Sequence, residues 1–114
     1  MKKLMLNGYI INISSTASLS PNQHYPVYSA SKAGVNAYTL AESKQQENGI
    51  SFLVVCPGPT NTPMRKKIDK QAHLKQSPLV VAQIVQKILK PNSKYKNGDL
   101  IVIANEIESV LRMK

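Results

Sequence analysis

Apolar residues fall in three compact runs separated by polar stretches. "GYIINIS" (Gly8 to Ser14) is rich in Ile and lacks clean alternation, which predicts a strand buried on both faces. "ISFLVVCPG" supplies a second strand, Ile50 to Cys56, stopped by Pro57 and Gly58. "NGDLIVIA" supplies a third, entered by an Asn-Gly turn. Between the first two runs the pattern becomes helical. Pro26 suits a first helical turn, and in "VYSASKAGVNAYTLAESKQQENG" Val27, Ala30, Gly34, Ala37, Tyr38 and Ala41 fall near one stripe. Gly49 is placed to close that helix in a left-handed conformation. Ser77 and Pro78 read as the N-cap and first residue of a second helix, whose apolar face is Leu79, Ala82, Val85, Ile88 and Leu89. Pro91 lies just past its end. "STASLSPNQ" and "PTNTPMRKKIDKQAHLKQ" read as polar connections, and the tail "NEIESVLRMK" predicts no definite element.

The order strand, helix, strand, helix, strand predicts an α/β fold with a parallel sheet and crossover helices. Such sheets bind ligands beyond the carboxyl ends of their strands. Those ends are Ser14–Ser15, Cys56–Pro57 and the region after Ala104.

Composition narrows the class. The chain has 114 residues, 42% hydrophobic and 18% charged, which suits one globular domain. No apolar run approaches the about 18 residues of a membrane span. "MKKLMLNGYIINIS" starts basic, but Asn7, Gly8 and Asn12 interrupt it and no small-residue cleavage site follows, which favours a cytoplasmic protein over a secreted one. A single cysteine, Cys56, agrees with that expectation. The net charge of +9 fits an anionic partner, yet the lysines are spread out and only Arg65 to Lys70 is dense. With five Tyr, one Phe, no Trp and no nucleic-acid motif, a nucleic-acid partner is disfavoured. A solvated lysine-rich surface is the simplest account. The sharper one is that the loop Arg65 to Lys75 meets an anionic substrate.

Other polar residues carry less. His24 and His73 lack acidic or thiol companions at ligand spacing, so no metal site is expected. His24, just before the first helix, is placed to line a substrate mouth. Cys56 reads as a small buried hydrophobe. Asn12 reads as structural, satisfying backbone groups, and Tyr25 and Tyr38 as packing residues.

Tyr28 and Lys32 stand four apart in "HYPVYSASKAG" and share one helix face. A nearby ammonium favours the phenolate, which makes Tyr28 a candidate general acid or base. The small neighbours Ser29, Ala30, Ser31, Ala33 and Gly34 leave room for a flat ligand. Alone, such a pair is an ordinary surface contact.

Its surroundings add weight. "NISS" at a strand end places Ser15 thirteen residues before Tyr28, "YSASK" follows on a helix, and "CPGPTNTPM" follows the next strand. Together these pieces resemble the short-chain dehydrogenase/reductase family. The resemblance runs from Gly8 to Ala104. It implies an NAD(P)-dependent oxidoreductase interconverting a carbonyl and an alcohol. Tyr28 is then the acid/base at the substrate oxygen, and Ser15 hydrogen-bonds that oxygen. Lys32 holds the nicotinamide ribose and acts on the tyrosine. Pro57 and Gly58 bring backbone near the nicotinamide, while Thr60 and Thr62 serve its carboxamide or pyrophosphate. Whether NAD or NADP is used stays open.

The sequence also departs from the family pattern. Ser18 stands where Gly is usual, a minor change in a loop. No G-x-x-x-G-x-G stretch occurs in the 114 residues, and family members are about twice this length, beyond one ~100-residue unit. The cofactor-selecting residue and the "NNAG" segment are also missing. The sequence therefore resembles a single partial domain, residues 1–114: the C-terminal half of a doubly wound, Rossmann-like fold with three strands. These would be the family's fifth, sixth and seventh strands, so Gly8–Ser14 should expose an edge that the fourth would cover. The expectations are an isolated chain that is inactive, a small carbonyl or alcohol substrate, and a complementing N-terminal half or a homo-oligomer as partner. The alternative is a non-catalytic remnant acting as an interaction module.

Overall fold

The computed structural model describes residues 8–20, 23–45, 49–58 and 77–112. Its elements are β1 (Gly8–Ile13), a 3-10 turn (Thr16–Ser18), α1 (Pro26–Ser43), β2 (Ile50–Pro57), α2 (Pro78–Leu89), β3 (Asp99–Ala104) and β4 (Ile107–Arg112). They form one sheet in the order β1-β2-β3-β4. The first three strands are parallel, with Ile13 opposite Val55 and Pro57 opposite Ile103. The three expected strands and the parallel crossovers are therefore present.

The fourth strand was not expected. β4 runs antiparallel to β3, joined to it through Asn105 and Glu106. Both residues have positive φ, 52° and 62°, the two-residue hairpin turn whose twist matches paired strands. Asn-Glu lacks the glycine that usually announces such a turn, so the tail gave no hairpin signal.

Side chains of β2 alternate between two buried layers. Leu53 and Val55 join Ile101 and Ile103 beneath Ile84 and Ile88 of α2. Val54 and Cys56 join Leu100 on the opposite face, with Val35 of α1 against them. One helix thus covers each face, the doubly wound arrangement. β1 is an outer strand, and Tyr9, Ile10 and Ile13 remain 41%, 41% and 45% exposed.

α1 turns inward a different face from the one periodicity suggests, and α2 a partly different one that keeps Ile88. The α1 stripe of Val27, Ala30, Gly34, Ala37, Tyr38 and Ala41 is exposed. Its buried residues are Ser29, Asn36, Thr39 and Ser43. Burial is tolerable because the hydroxyls are satisfied: Thr39 Oγ1 donates to the Val35 carbonyl at 2.7 Å and Ser43 Oγ to the Leu40 carbonyl at 2.7 Å. Thr39 also accepts from Asn12 Nδ2 at 2.9 Å, so Asn12 ties β1 to the helix. Tyr25 and Tyr38 are exposed. In α2 the inward set is Val80, Val81, Ile84 and Ile88, while Leu79 and Leu89 face out. That sequence is apolar on most sides, so several stripes compete and the sheet selects the β-branched one. Ser77 caps the helix, accepting from Leu79 N at 3.2 Å. α1 ends at Ser43 with Lys44 as its cap, earlier than expected, although Gly49 does take φ 67°.

The Asn97-Gly98 turn clips three elements together. Asn97 Oδ1 accepts from Phe52 N at 2.8 Å and its Nδ2 donates to the Ser43 carbonyl at 2.7 Å. Gly98 has φ 88°, and a Cβ there would lie 3.1 Å from Ser43 Oγ. Gly98→Ala is therefore expected to lower stability by about 2 kcal/mol, measured as a drop in denaturation midpoint without a change in slope.

β4 is held through polar contacts. Asp99, 2% exposed, accepts from Lys96 N at 2.8 Å and from Arg112 Nε at 3.1 Å. The Tyr95 hydroxyl donates to Glu108, which also faces Lys94 at 3.5 Å and Lys87 at 3.6 Å. The Tyr95 bond above all holds the Glu108 carboxyl below its usual range; burial opposes it, and Lys94 and Lys87 add to the lowering. A carboxyl lowered in the folded state stabilises above its unfolded pKa, and that support is lost as pH falls through the folded value. Acidification below about pH 4 should thus loosen the hairpin. The acid-induced loss of melting temperature should be smaller in Tyr95→Phe. Equal losses in both proteins would refute this assignment.

Candidate active site

The polar groups singled out in the sequence gather at the carboxyl end of β1. The strand is fixed there by Ser14, whose N–H donates to the Val55 carbonyl at 2.7 Å. The Ser14 hydroxyl, 4% exposed, donates to the Lys32 carbonyl at 3.0 Å. That bond ties the strand end to α1 between Tyr28 and Asn36. The Lys32 ammonium returns to β1, donating to the Ile13 carbonyl at 3.4 Å. It also lies 5.8 Å from the centre of the Tyr28 ring. Tyr28 is 46% exposed, so its face of the helix is open to a ligand.

Ser15 follows directly. Its backbone is extended and it caps the 3-10 turn, with Oγ accepting from Ala17 N at 3.1 Å. That contact uses a lone pair, so the hydroxyl proton can still be donated to another oxygen. Lys32 and Tyr28 therefore meet at the strand end, and Ser15 is one residue beyond the clamp that Ser14 makes on the helix.

At the end of β2, Pro57 is the last strand residue and Gly58 is buried. Gly58 N donates to the Ile103 carbonyl at 2.7 Å. A Cβ there would approach that carbonyl to 3.3 Å and Thr16 Cγ2 to 3.7 Å. Glycine is thus the residue that lets this backbone close against β3 and the serine-bearing turn. Thr60, Thr62, His73 and the basic run from Arg65 to Lys75 lie outside the described residues.

Three further residues belong to the site's support. Ser18 Oγ donates to the Ser15 carbonyl at 2.5 Å and accepts from Asn36 Nδ2 at 2.7 Å. Cys56 Sγ donates to Asn36 Oδ1 at 3.8 Å. Burial pushes the Cys56 thiol up, partly offset by hydrogen bonding with Ser18, Ser14 and Asn36. A raised thiol is a poor nucleophile, in keeping with a packing role. The position of Ser18 is more than a tolerated loop change, because its hydroxyl joins this network.

Taken together, the mostly parallel sheet with a helix on each face defines an α/β protein of Rossmann-like fold, its polar groups at the carboxyl ends of the parallel strands. A family model described as short chain dehydrogenase matches residues 1–73, and the chain belongs to that family. A 15-hydroxyprostaglandin dehydrogenase [NAD(+)] of Rattus norvegicus is 39% identical over 72 residues, covering 60% of this chain and 27% of that protein. A 3-oxoacyl-[acyl-carrier-protein] reductase of Thermotoga maritima is 33% identical over 108 residues, covering 85% of this chain and 44% of the relative. Among solved structures, an actinorhodin polyketide ketoreductase with NADPH superimposes with a TM-score of 0.77 at 25% identity, over 87% of this chain and 46% of that one. The chain thus spans less than half the length of these relatives. Among the described residues, no helix is long and apolar enough to cross a membrane.

Proposed function

We propose that this chain is the catalytic half of an NAD(P)-dependent oxidoreductase that interconverts a ketone and a secondary alcohol. Tyr28 exchanges a proton with the substrate oxygen, and Ser15 donates a hydrogen bond to the same oxygen and fixes its direction. Such donors stabilise the charge that grows on a carbonyl oxygen as it is reduced. The observation that supports this reading is the Lys32 ammonium, which reaches the Ile13 carbonyl at the strand end that leads to Ser15 and lies 5.8 Å from the Tyr28 ring.

The residues present fit the nicotinamide–ribose part of a dinucleotide. Lys32 offers an ammonium donor for hydroxyls beside the exposed Tyr28, and Pro57 and Gly58 end β2 close by in sequence with Thr60 and Thr62. The hydride is the cofactor's contribution. The names of the relatives include both NAD(+) and NADPH, which supports a nicotinamide cofactor without choosing between them. The glycine-rich phosphate turn does not occur in these 114 residues, so in this reading a complementing half would supply it.

NADH and NADPH fluorescence should therefore change little with the purified chain alone. Binding should appear when the chain is mixed with the N-terminal half of a relative. If the mixture forms but binds neither nucleotide, the chain is a non-catalytic interaction module instead.

A further inference from the structure

Asn36 stands one helical turn after Lys32 and two after Tyr28, so the three share one side of α1. It is 7% exposed, and both ends of its amide are used. Nδ2 donates to Ser18 Oγ at 2.7 Å, and Oδ1 accepts from Cys56 Sγ at 3.8 Å. Ser18 Oγ donates onward to the Ser15 carbonyl at 2.5 Å. One buried amide therefore joins the helix of Tyr28 and Lys32, the turn of Ser15, and the strand end before Pro57.

We propose that Asn36, acting through Ser18, is a positioning residue that sets the separation of the Ser15 and Tyr28 hydroxyls. The proposal rests on the oxidoreductase reading given above. The turn that carries Ser15 is three residues long and has no buried residue of its own. No side chain of the turn is fully buried, so its placement depends strongly on hydrogen bonds. Ser14 clamps its beginning to the Lys32 carbonyl, and Ser18 clamps its far side to Asn36. With only the first clamp, the turn can pivot about Ser14 and carry Ser15 away from the substrate oxygen. Geometric errors of this kind are costly, since a displacement of about 1 Å can slow a reaction by about a hundredfold.

A purely structural role would look different under paired replacement. Removing one partner strands a buried polar group, whereas replacing both with apolar groups can restore stability. The variants are Asn36→Leu, Ser18→Ala and the double variant, each in the chain completed by the N-terminal half of a relative. Each single variant should lower kcat by about tenfold or more while the cofactor KM moves less than about twofold. The double variant should regain melting temperature but keep the low kcat, with no further loss. Recovery of kcat along with melting temperature, or single variants within about twofold of the parent, would overturn the proposal.

A second measurement needs no turnover. In the 114-residue chain, Asn36→Leu should speed amide exchange at Ser18 and Leu19, which donate to Ser15 and Thr16 carbonyls at 3.0 Å each, and leave Val54 and Val55 unchanged. Parent-like exchange at Ser18 and Leu19 would overturn the latch whatever the kinetics. If the completed parent has no activity at all, the oxidoreductase reading fails, and the exchange result still decides whether Asn36 holds the turn.

Discussion

Tyr28→Phe, made in the chain completed by the N-terminal half of a relative, should lower turnover by about a thousandfold. The substitution removes one oxygen and keeps the ring, so the Lys32 ammonium retains its aromatic neighbour at 5.8 Å. Tyr28 is half-exposed, so stability should stay within about 0.5 kcal/mol of the parent. Nicotinamide binding should also survive, because the cofactor would be held mainly through Lys32 and the added N-terminal half. A fall in turnover of less than about tenfold would mean that another group handles the proton. Any such result would remove the central claim about the site.

Lys32→Met should give the next largest effect, a drop in turnover of about a hundredfold with a raised cofactor KM. Methionine keeps an apolar stem of similar length but cannot donate to the Ile13 carbonyl, now made at 3.4 Å. The Ser14 clamp uses the Lys32 backbone, not its side chain, and so remains. Two effects should therefore separate. The fold is kept, while binding and turnover fall together. If turnover falls and cofactor KM does not, Lys32 acts on Tyr28 alone and does not hold the ribose.

The two predictions depend on residues that were readable in the sequence. A tyrosine and a lysine four apart on a helix share a face whatever the rest of the fold does, and strand ends marked by Ser-Ser and by Pro-Gly collect on one rim of a parallel sheet. The helix faces were not readable in the same way. Periodicity assigns polar residues to solvent, but Thr39 and Ser43 satisfy their hydroxyls on their own helix and can be buried. Asn36 was hidden for a related reason. Its partner Ser18 lies 18 residues away, and only the fold brings the two together. β4 was missed because its turn, Asn105-Glu106, carries no glycine.

The two margins of the sheet are unequal. Along β4 the strand carries Glu108 and Arg112, both engaged in ion pairs. Along β1, Gly8 to Ile13 contains no charge and no proline. Charged rims discourage further strand addition, and uncharged ones invite it. Among the described residues, β1 is thus the sheet's one uncharged edge. Two copies that meet through β1 would satisfy each other and leave only repellent borders outside, so growth should halt at pairs and not run on into filaments. Sedimentation at rising concentration should accordingly plateau at twice the monomer mass.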